Sequence, residues 1–251
     1  MQTALLISPH LDDAVFSCGA TIAILVERHW RVVVATAFTR SDHPATGFAL
    51  ECQRDKGLAD DVDYMALRRD EDARATASLG AEAIHMDLQE APLRGYESAE
   101  ALFAGYLDSD TIDATLTKAV DALVADLRPN LLMGPSALGG HVDHRRVLDV
   151  LMRTEGEHAT AFWRDVPYVV RHPHAALDPR LNLLDEVAVT IDPTLATKID
   201  AAGLYRSQIG FQFGDAAAMA DTLSTLAHTE GAGVPVERFH ATPAGLRALQ
   251  P

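Results

Sequence analysis

A short apolar run near the N-terminus, which stops abruptly at a polar cluster, constrains the fold more than any other feature. Ala4–Ile7 (ALLI) is continuous and apolar, as is typical of a strand buried on both faces of a parallel sheet. Ser8–Asp13 (SPHLDD) follows directly, and apolar residues then recur at helical spacing over residues 15–26. The pattern predicts a strand, a turn and a helix. One imidazole and two carboxylates therefore lie at the carboxyl end of a strand, where ligands collect in open α/β sheets.

A second apolar run ends in the same way far along the chain. Residues 130–134 (NLLMG) predict another buried strand, which is followed by a glycine-containing loop and by His141–His144 (HVDH). If both strands belong to one parallel sheet, we expect His10, Asp13 and His144 to converge on one ion at the same edge. Two histidines and one carboxylate leave a coordination position for water, which is the pattern of a catalytic rather than a structural metal site.

The rest of the chain alternates strands and helices. This alternation predicts a single α/β domain over residues 1–251, with a Rossmann-like, mostly parallel sheet flanked by helices. The predicted strands lie at residues 31–39, 83–88, 162–170 and 186–191. The predicted helices lie at residues 64–79, 111–127, 143–152 and 193–208, with a further helix and a tail after residue 210. No Gly-x-Gly-x-x-Gly sequence follows either of the first two strands, so a dinucleotide cofactor is not expected.

Residues 40–63 break this alternation. They contain Pro44, Gly47 and Gly57, and they show no regular apolar spacing. A loop of this length in a compact domain is usually either functional or disordered. The segment therefore predicts either a lid over the site or a solvated excursion, and the sequence alone does not separate the two.

Charge and cysteine content limit the class of partner. The formal net charge of −15 argues against a general binder of nucleic acid or anionic membranes, because such partners favour basic patches. We expect neither a membrane helix, which needs ~20 apolar residues, nor a secretion signal. The only cysteines are Cys18 and Cys52, so we expect no disulfide framework and a reducing cytoplasm as the location. A soluble enzyme with a small-molecule substrate fits this composition, and a homo-oligomer is left open.

A family resemblance rests on two short motifs, each at a strand end. They are residues 9–13 (PHLDD) and, later in the chain, residues 141–144 (HVDH). Together they resemble the LmbE/PIG-L family of zinc-dependent N-deacetylases, which act mainly on N-acetylglucosamine conjugates. The likeness extends to Arg68–Glu71 (RRDE) before an alanine-rich helix, to Lys198, and to residues 205–208 (YRSQ). It implies a metal-dependent hydrolase that removes an N-acetyl or other N-acyl group from an amino sugar in a small glycoconjugate.

The resemblance also implies which residues carry the chemistry. Zn²⁺, with Fe²⁺ as an alternative, would be bound by His10, Asp13 and His144. Such an ion lowers the pKa of its water and polarises a carbonyl, and amide hydrolysis needs both effects. Asp12 would take a proton from that water as the general base, as the matching aspartate does in the family. His141, with its ring protonated as an imidazolium, would stabilise the developing oxyanion, and it could also protonate the leaving amine.

Two further residues are expected to support this chemistry. Asp143 would orient one of the site histidines through its ring N–H. Arg68, near the start of the helix predicted at 64–79, would reach the edge of the site and hold an anionic or hydroxyl-rich substrate. Its spacing fits equally a surface pair with Glu71 at i, i+3.

Other interpretations stay open at this stage. An aspartate pair at a helix N-terminus also serves simply as a cap. The substrate of an amidase could lack a sugar. Two histidines and one aspartate also form the facial triad of non-haem Fe(II) oxygenases, although the α/β pattern argues against their usual β-barrel scaffold. A binding module with a structural metal would need a fourth protein ligand, and the sequence offers none near either cluster.

Overall fold

The computed structural model describes residues 1–154 and 158–250, and within them seven strands form one sheet. The strands are β1 (Thr3–Ser8), β2 (Arg31–Thr36), β3 (Glu82–His85), β4 (Leu131–Pro135), β5 (Thr160–Trp163), β6 (Asp185–Thr190) and β7 (Val236–Ala241). Their order across the sheet is β3-β2-β1-β4-β5-β7-β6. The first five strands are parallel, whereas β7 is antiparallel to both β5 and β6. The predicted α/β class with a mostly parallel sheet is confirmed.

Helices cover both faces of this sheet. They are α1 (Asp13–Glu27), α2 (Gly47–Arg54), α3 (Tyr64–Ser78), α4 (Ile112–Leu127), α5 (Val142–Arg153), α6 (Tyr168–Arg171), α7 (Leu195–Ala202), α8 (Arg206–Phe213), α9 (Ala216–Glu230) and α10 (Pro243–Leu249). In β1, Ala4 and Leu6 belong to the core cluster that contains α1. Leu5 and Ile7 belong to the opposite cluster, which contains α5. The strand is buried on both faces, which explains its uninterrupted apolar sequence.

The strands β1 and β4 are neighbours although they lie far apart in the sequence. In the parallel register Ala4 pairs with Leu131 and Leu6 pairs with Met133. From β1 the chain continues on one side through β2 and β3, and β4 lies on the other side of β1. The order reverses between β1 and β4, which is the point where open α/β sheets bind ligands. This pairing brings the two polar clusters to one edge. None of the helices in the described ranges is long and apolar enough to cross a membrane.

The predicted strand at residues 162–170 is wrong beyond Trp163. The strand β5 ends at that residue, and the short helix α6 begins at Tyr168. Pro167 has no N–H to donate, so a sheet ladder does not continue through it. Val166, in the loop, and Val169, in the helix, pack into the core instead.

Three other predicted segments also differ from the structure. The helix predicted at 193–208 is two helices, α7 and α8, separated at residues 203–205. The region after residue 210 contains the expected helix, α9, but also the unpredicted strand β7. The irregular segment 40–63 contains the helix α2.

Candidate metal centre and substrate cavity

Short-range hydrogen bonds close the turn after β1. The Ser8 hydroxyl donates to the carbonyl of His10 (2.8 Å), and the backbone N–H of His10 donates to Asp13 Oδ2 (2.9 Å). Asp12 directly precedes α1, yet its side chain makes no capping hydrogen bond. A helix cap therefore does not account for the Asp12 carboxylate, which faces the cavity described below.

Three side chains from the two turns converge. His10 Nδ1 lies 3.2 Å from Asp13 Oδ2, and His144 Nε2 lies 3.3 Å from the same oxygen. One candidate ligand atom from each residue lies within 4.8 Å of the other two. The structure thus brings together the three residues that the sequence predicted as metal ligands.

Two observations show that these residues suit a divalent metal. First, His144 Nε2 is buried and makes no hydrogen bond, although the Asp13 carboxylate is beside it. Second, burial lowers the pKa of His10, but hydrogen bonds to Asp13 and Asp143 outweigh it and raise that pKa to about 9. A proton on the imidazole thus balances carboxylate charge, and a cation would replace it. Two imidazole nitrogens and a carboxylate oxygen are also a donor set that Zn²⁺ and related metals accept.

Asp143 is fully buried and contacts His10 through a hydrogen bond. Its Oδ2 lies 2.9 Å from His10 Nε2 and accepts a hydrogen bond from the backbone N–H of Ala91 (3.0 Å). Its Oδ1 accepts from Arg94 Nη2 (2.7 Å). Burial would raise the pKa of Asp143, but the charge of Arg94 and the bond to His10 outweigh it and lower the pKa. Because Nε2 is bonded to Asp143, the Nδ1 atom of His10 points toward Asp13, as expected for a carboxylate that orients a metal-binding histidine.

His144 has an equivalent partner, Asp165, that the sequence analysis missed. Asp165 lies two residues after the end of β5, and its Oδ1 lies 2.6 Å from His144 Nδ1. Its Oδ2 accepts hydrogen bonds from the Ser136 hydroxyl (2.8 Å) and the Leu138 N–H (3.0 Å). A carboxylate at the end of the strand beside β4 was the signal that could have indicated this residue.

Arg68 contacts the site rather than the surface. Only 5% of it is exposed, its Nη2 lies 3.7 Å from Asp12 Oδ1, and its Nη1 lies 3.4 Å from Glu90 Oε2. Glu71 is not its partner, because that carboxylate accepts hydrogen bonds from the N–H and the hydroxyl of Ser207 (2.9 and 2.6 Å). Burial raises the pKa of Asp12 to about 6, and the charge of Arg68 opposes this rise.

Two rings lie beside the candidate ligands. His141 Nδ1 accepts a hydrogen bond from the N–H of Asp143 (3.2 Å), so its neutral ring carries the proton on Nε2. Burial lowers the pKa of His141 to about 3, so this ring is neutral in the free protein rather than an imidazolium. Tyr168, which sequence patterns placed in a strand, has its ring centroid 5.2 Å from that of His144. Its own sequence context gave no signal of this position.

A cavity of about 250 Å³ opens onto these groups. Its walls combine charged side chains with the aromatic rings of Phe16, Phe48, Tyr64, Phe103, Tyr168 and Phe211. Phe48 and Cys52 come from α2, and Lys56 comes from the turn that follows, so the segment 40–63 supplies part of one wall.

The late segment of the chain contributes in two different ways. Gln208 lines the cavity, and its amide donates to the Tyr64 hydroxyl (3.0 Å). Lys198 instead forms a buried ion pair with Glu237 on β7 (2.7 Å) and donates to the carbonyl of Ser17 in α1 (3.2 Å). Lys198 therefore joins β7 to α1 behind the site.

Proteins named as deacetylases are similar to this chain in sequence or in fold. A 2'-N-acetylparomamine deacetylase of Streptomyces fradiae is 29% identical over 211 residues, which are 81% of this chain and 72% of that protein. A deacetylase of the teicoplanin biosynthesis pathway superposes with a TM-score of 0.85 at 26% identity, covering 96% of this chain and 97% of the other. The A40926 pseudoaglycone deacetylase gives a TM-score of 0.81 at 26% identity, covering 95% and 96%.

A third solved structure is the zinc-inhibited form of teicoplanin deacetylase, with a TM-score of 0.82 at 25% identity over 96% of this chain and 97% of the other. The family model described as PIG-L, GlcNAc-PI de-N-acetylase, matches residues 5–154, which include both polar clusters. The protein therefore belongs to the PIG-L family and is an amide-hydrolysing enzyme.

Proposed function

We propose that this protein is a Zn²⁺-dependent N-deacetylase that releases acetate from an N-acetylated amino sugar in a small glycoconjugate. One observation carries the proposal: His10, Asp13 and His144 converge, and His10 and Asp13 line a cavity together with the Asp12 carboxylate, which is not used as a cap. The relatives support the substrate class, since one is a deacetylase of 2'-N-acetylparomamine and another is a deacetylase of the A40926 pseudoaglycone.

The residues that would hold the metal are His10, Asp13 and His144. When bound, a divalent cation supplies Lewis-acid polarisation of the acyl oxygen and a more acidic water. Asp143 and Asp165 fix the two histidine rings, which keeps their other nitrogens directed at the same point. We propose Zn²⁺ as the native ion and Fe²⁺ as the alternative to be tested.

Asp12 is proposed as the general base. Its carboxylate accepts a proton from the water that attacks the acyl carbon, and the same group then carries a proton that the leaving amine can take. Arg68, 3.7 Å away, stabilises the ionised form of Asp12 and limits its rotation. The buried position strengthens both effects, because the local dielectric constant is low.

His141 is proposed to stabilise the oxyanion as a neutral donor. The N–H of Asp143 fixes its Nδ1 atom, so Nε2–H is the group available to the acyl oxygen. This differs from the imidazolium expected from sequence, since burial disfavours the charged ring. Asp143 thereby positions two rings, His10 through its carboxylate and His141 through its backbone.

The remaining walls are proposed to select the sugar and exclude water. Arg68 presents a buried guanidinium to the cavity and can donate to sugar hydroxyls. The segment 40–63, through Phe48 and Lys56, is proposed to act as a lid on the occupied cavity. Both cysteines are free, in keeping with the cytoplasm as the proposed location.

The test is primary-amine release by metal-depleted protein reloaded separately with Zn²⁺ and Fe²⁺. The panel combines N-acetylglucosamine conjugates with N-acyl amides that lack a sugar, and it is repeated with Asp12→Asn. We expect release from sugar conjugates only, more with Zn²⁺ than with Fe²⁺, and almost none from the variant. Amine release from the non-sugar amides alone would support an amidase activity but contradict the proposal that the substrate is an amino sugar. Oxygen consumption without amine release would instead favour the oxygenase alternative.

A further inference from the structure

A second and larger groove opens beside the cavity. Its volume is about 1080 Å³, and it shares Ala99, Phe103 and Arg171 with the cavity described above. The loop after β4, at Gly139 and Gly140, forms one side, and residues 171–179 form the other. A substrate whose sugar occupies the cavity would therefore extend into this groove with the rest of its structure.

The charge of this groove is opposite to that of the whole chain. The basic side chains that line it are Arg145, Arg171, His172 and His174. Asp178 is its one acidic lining residue among the described residues, and that carboxylate is bound by Arg180 (2.8 and 2.9 Å). The net charge of the chain is −15, so a basic groove is not what the overall composition predicts.

Neither guanidinium of the groove has a carboxylate partner within 4.0 Å in the described parts of the chain. The guanidinium of Arg145 lies over the ring of Tyr106, 4.7 Å from its centroid. Arg171 Nη2 donates to the carbonyl and Oε1 of Gln212, both at 2.8 Å. These contacts hold the two guanidinium groups in place and leave their remaining N–H donors for an oxyanion.

We propose that this groove is an anion-binding subsite, in which Arg145 and Arg171 recognise a carboxylate or phosphate on the aglycone of the substrate. The inference rests on the proposed deacetylase function and narrows its substrate class to acidic glycoconjugates. Arg171 lies where the cavity and the groove meet, so it contacts the aglycone close to the sugar. Arg145, on α5, binds the anion farther along the groove.

The test compares N-acetylglucosaminides that differ only at one position of a phenyl aglycone: 4-carboxyphenyl, 4-phosphonophenyl and the neutral 4-carbamoylphenyl. Each is assayed with the zinc-loaded enzyme and with Arg145→Gln and Arg171→Gln. Arg153→Gln is the matched control, because Arg153 also lies on α5 but pairs with Asp113 away from the groove. The dissociation constants are measured in parallel in the Asp12→Asn background, so that they do not depend on turnover.

We expect the wild type to prefer an anionic aglycone about fivefold or more, mainly through KM, with the preference falling as ionic strength rises. Arg145→Gln and Arg171→Gln should remove this preference, measured within each variant as the ratio of the charged to the neutral substrate, while Arg153→Gln should keep it. The carboxyl and phosphonate arms identify which anion is recognised. Equal affinities for the charged and neutral compounds would overturn the subsite. If the protein binds the anionic compounds more tightly than the neutral one but releases no amine from any of them, the subsite would stand and the deacetylase function would be wrong.

Discussion

His144 Nδ1 lies 2.6 Å from Asp165 Oδ1, so the imidazole of a candidate metal ligand is held from the loop that follows a third strand, β5. Because the carboxylate accepts the Nδ1 proton, Nε2 is left as the free nitrogen beside Asp13. The same carboxylate also holds the loop after β4 through Ser136 and Leu138. The geometry of the site therefore depends on β5 as well as on the two strands that carry the sequence motifs.

Asp165→Asn is expected to weaken metal binding by about tenfold to a hundredfold, because an amide is a poorer acceptor and does not stabilise the ligand histidine as well. The affinity is measured by competition with a chromogenic chelator. Asp121→Asn, an exposed carboxylate on α4, is the control and should bind the metal normally. Equal affinities of the two variants would show that Asp165 has no part in orienting His144.

Asp12→Asn is expected to lower turnover by about 10²- to 10⁴-fold while the metal content stays the same, because the amide keeps the shape but cannot accept the proton. The measurements are kcat and metal per protein chain. Asp55→Asn changes another carboxylate of the same cavity and should retain most activity. A fully active Asp12→Asn protein would remove Asp12 from the mechanism.

Tyr168→Phe is expected to lower kcat by about a hundredfold with a small change in KM. Burial and the nearby Asp13 and Asp12 carboxylates raise the pKa of Tyr168, so its phenol stays protonated and can donate to the acyl oxygen in the transition state. The ring packing against His144 and Gly139 is kept in the variant. An unchanged kcat would limit Tyr168 to this packing role.

The carboxylate of Asp110 is expected to make stability depend on pH. It accepts hydrogen bonds from Arg94 Nε (3.0 Å) and Nη2 (3.2 Å). Burial would raise the pKa of Asp110, but Arg94 outweighs it and lowers that pKa below its usual value. The group therefore contributes stability above its unfolded pKa of about 4, and this contribution is lost as the pH falls toward the folded pKa.

Urea unfolding of the wild type and Asp110→Asn tests this sign. The difference in their free energies of unfolding should be largest at neutral pH and should shrink below about pH 4. A difference that grows on acidification would contradict the assigned ion pair.

Gly245→Ala is expected to destabilise the fold by about 1 to 3 kcal/mol or more, because the new Cβ would meet backbone rather than a side chain. A Cβ at this position would lie 2.2 Å from the carbonyl oxygen of Thr160 in β5. Gly210→Ala on α8 is the control, since nothing lies within 4 Å of its Cβ position. That change should raise stability by up to about 1 kcal/mol through helix propensity. Melting temperatures that do not differ between the two variants would reject the close approach of α10 to β5.

The parts of the molecule that could be predicted are those whose sequence signal is local. The strands β1 and β4 have apolar sequences because both are buried on both faces, and each is followed by a polar cluster, directly after β1 and after a five-residue loop in the case of β4. The strand β7 was missed because its polar residues interrupt the apolar pattern. One of them, Glu237, is buried because Lys198 of α7 pairs with it and because the N–H groups of Ala20 and Thr21 in α1 donate hydrogen bonds to it.

Other features depend on contacts that no local pattern records. The position of Tyr168 depends on the end of β5 and on the absence of a side chain at Gly139, where a Cβ would come within 2.9 Å of the tyrosine ring. The position of Arg68 near the start of its helix fitted both the site edge and a surface pair with Glu71, and only the folded chain places it beside Asp12. The basic groove was not predicted because its residues come from separate segments, which include α5 and the loop after α6.

The pairing of β1 with β4 has a consequence for folding as well as for chemistry. It places His10 next to a turn that lies 133 positions further along the chain, as the contact with Asp143 shows. An ion held by both turns would link these distant segments as a removable cross-link. In the unfolded chain the same side chains are dispersed, so such an ion binds mainly to the native state. Each tenfold rise in free ion above its Kd would then add about 1.4 kcal/mol to the free energy of unfolding.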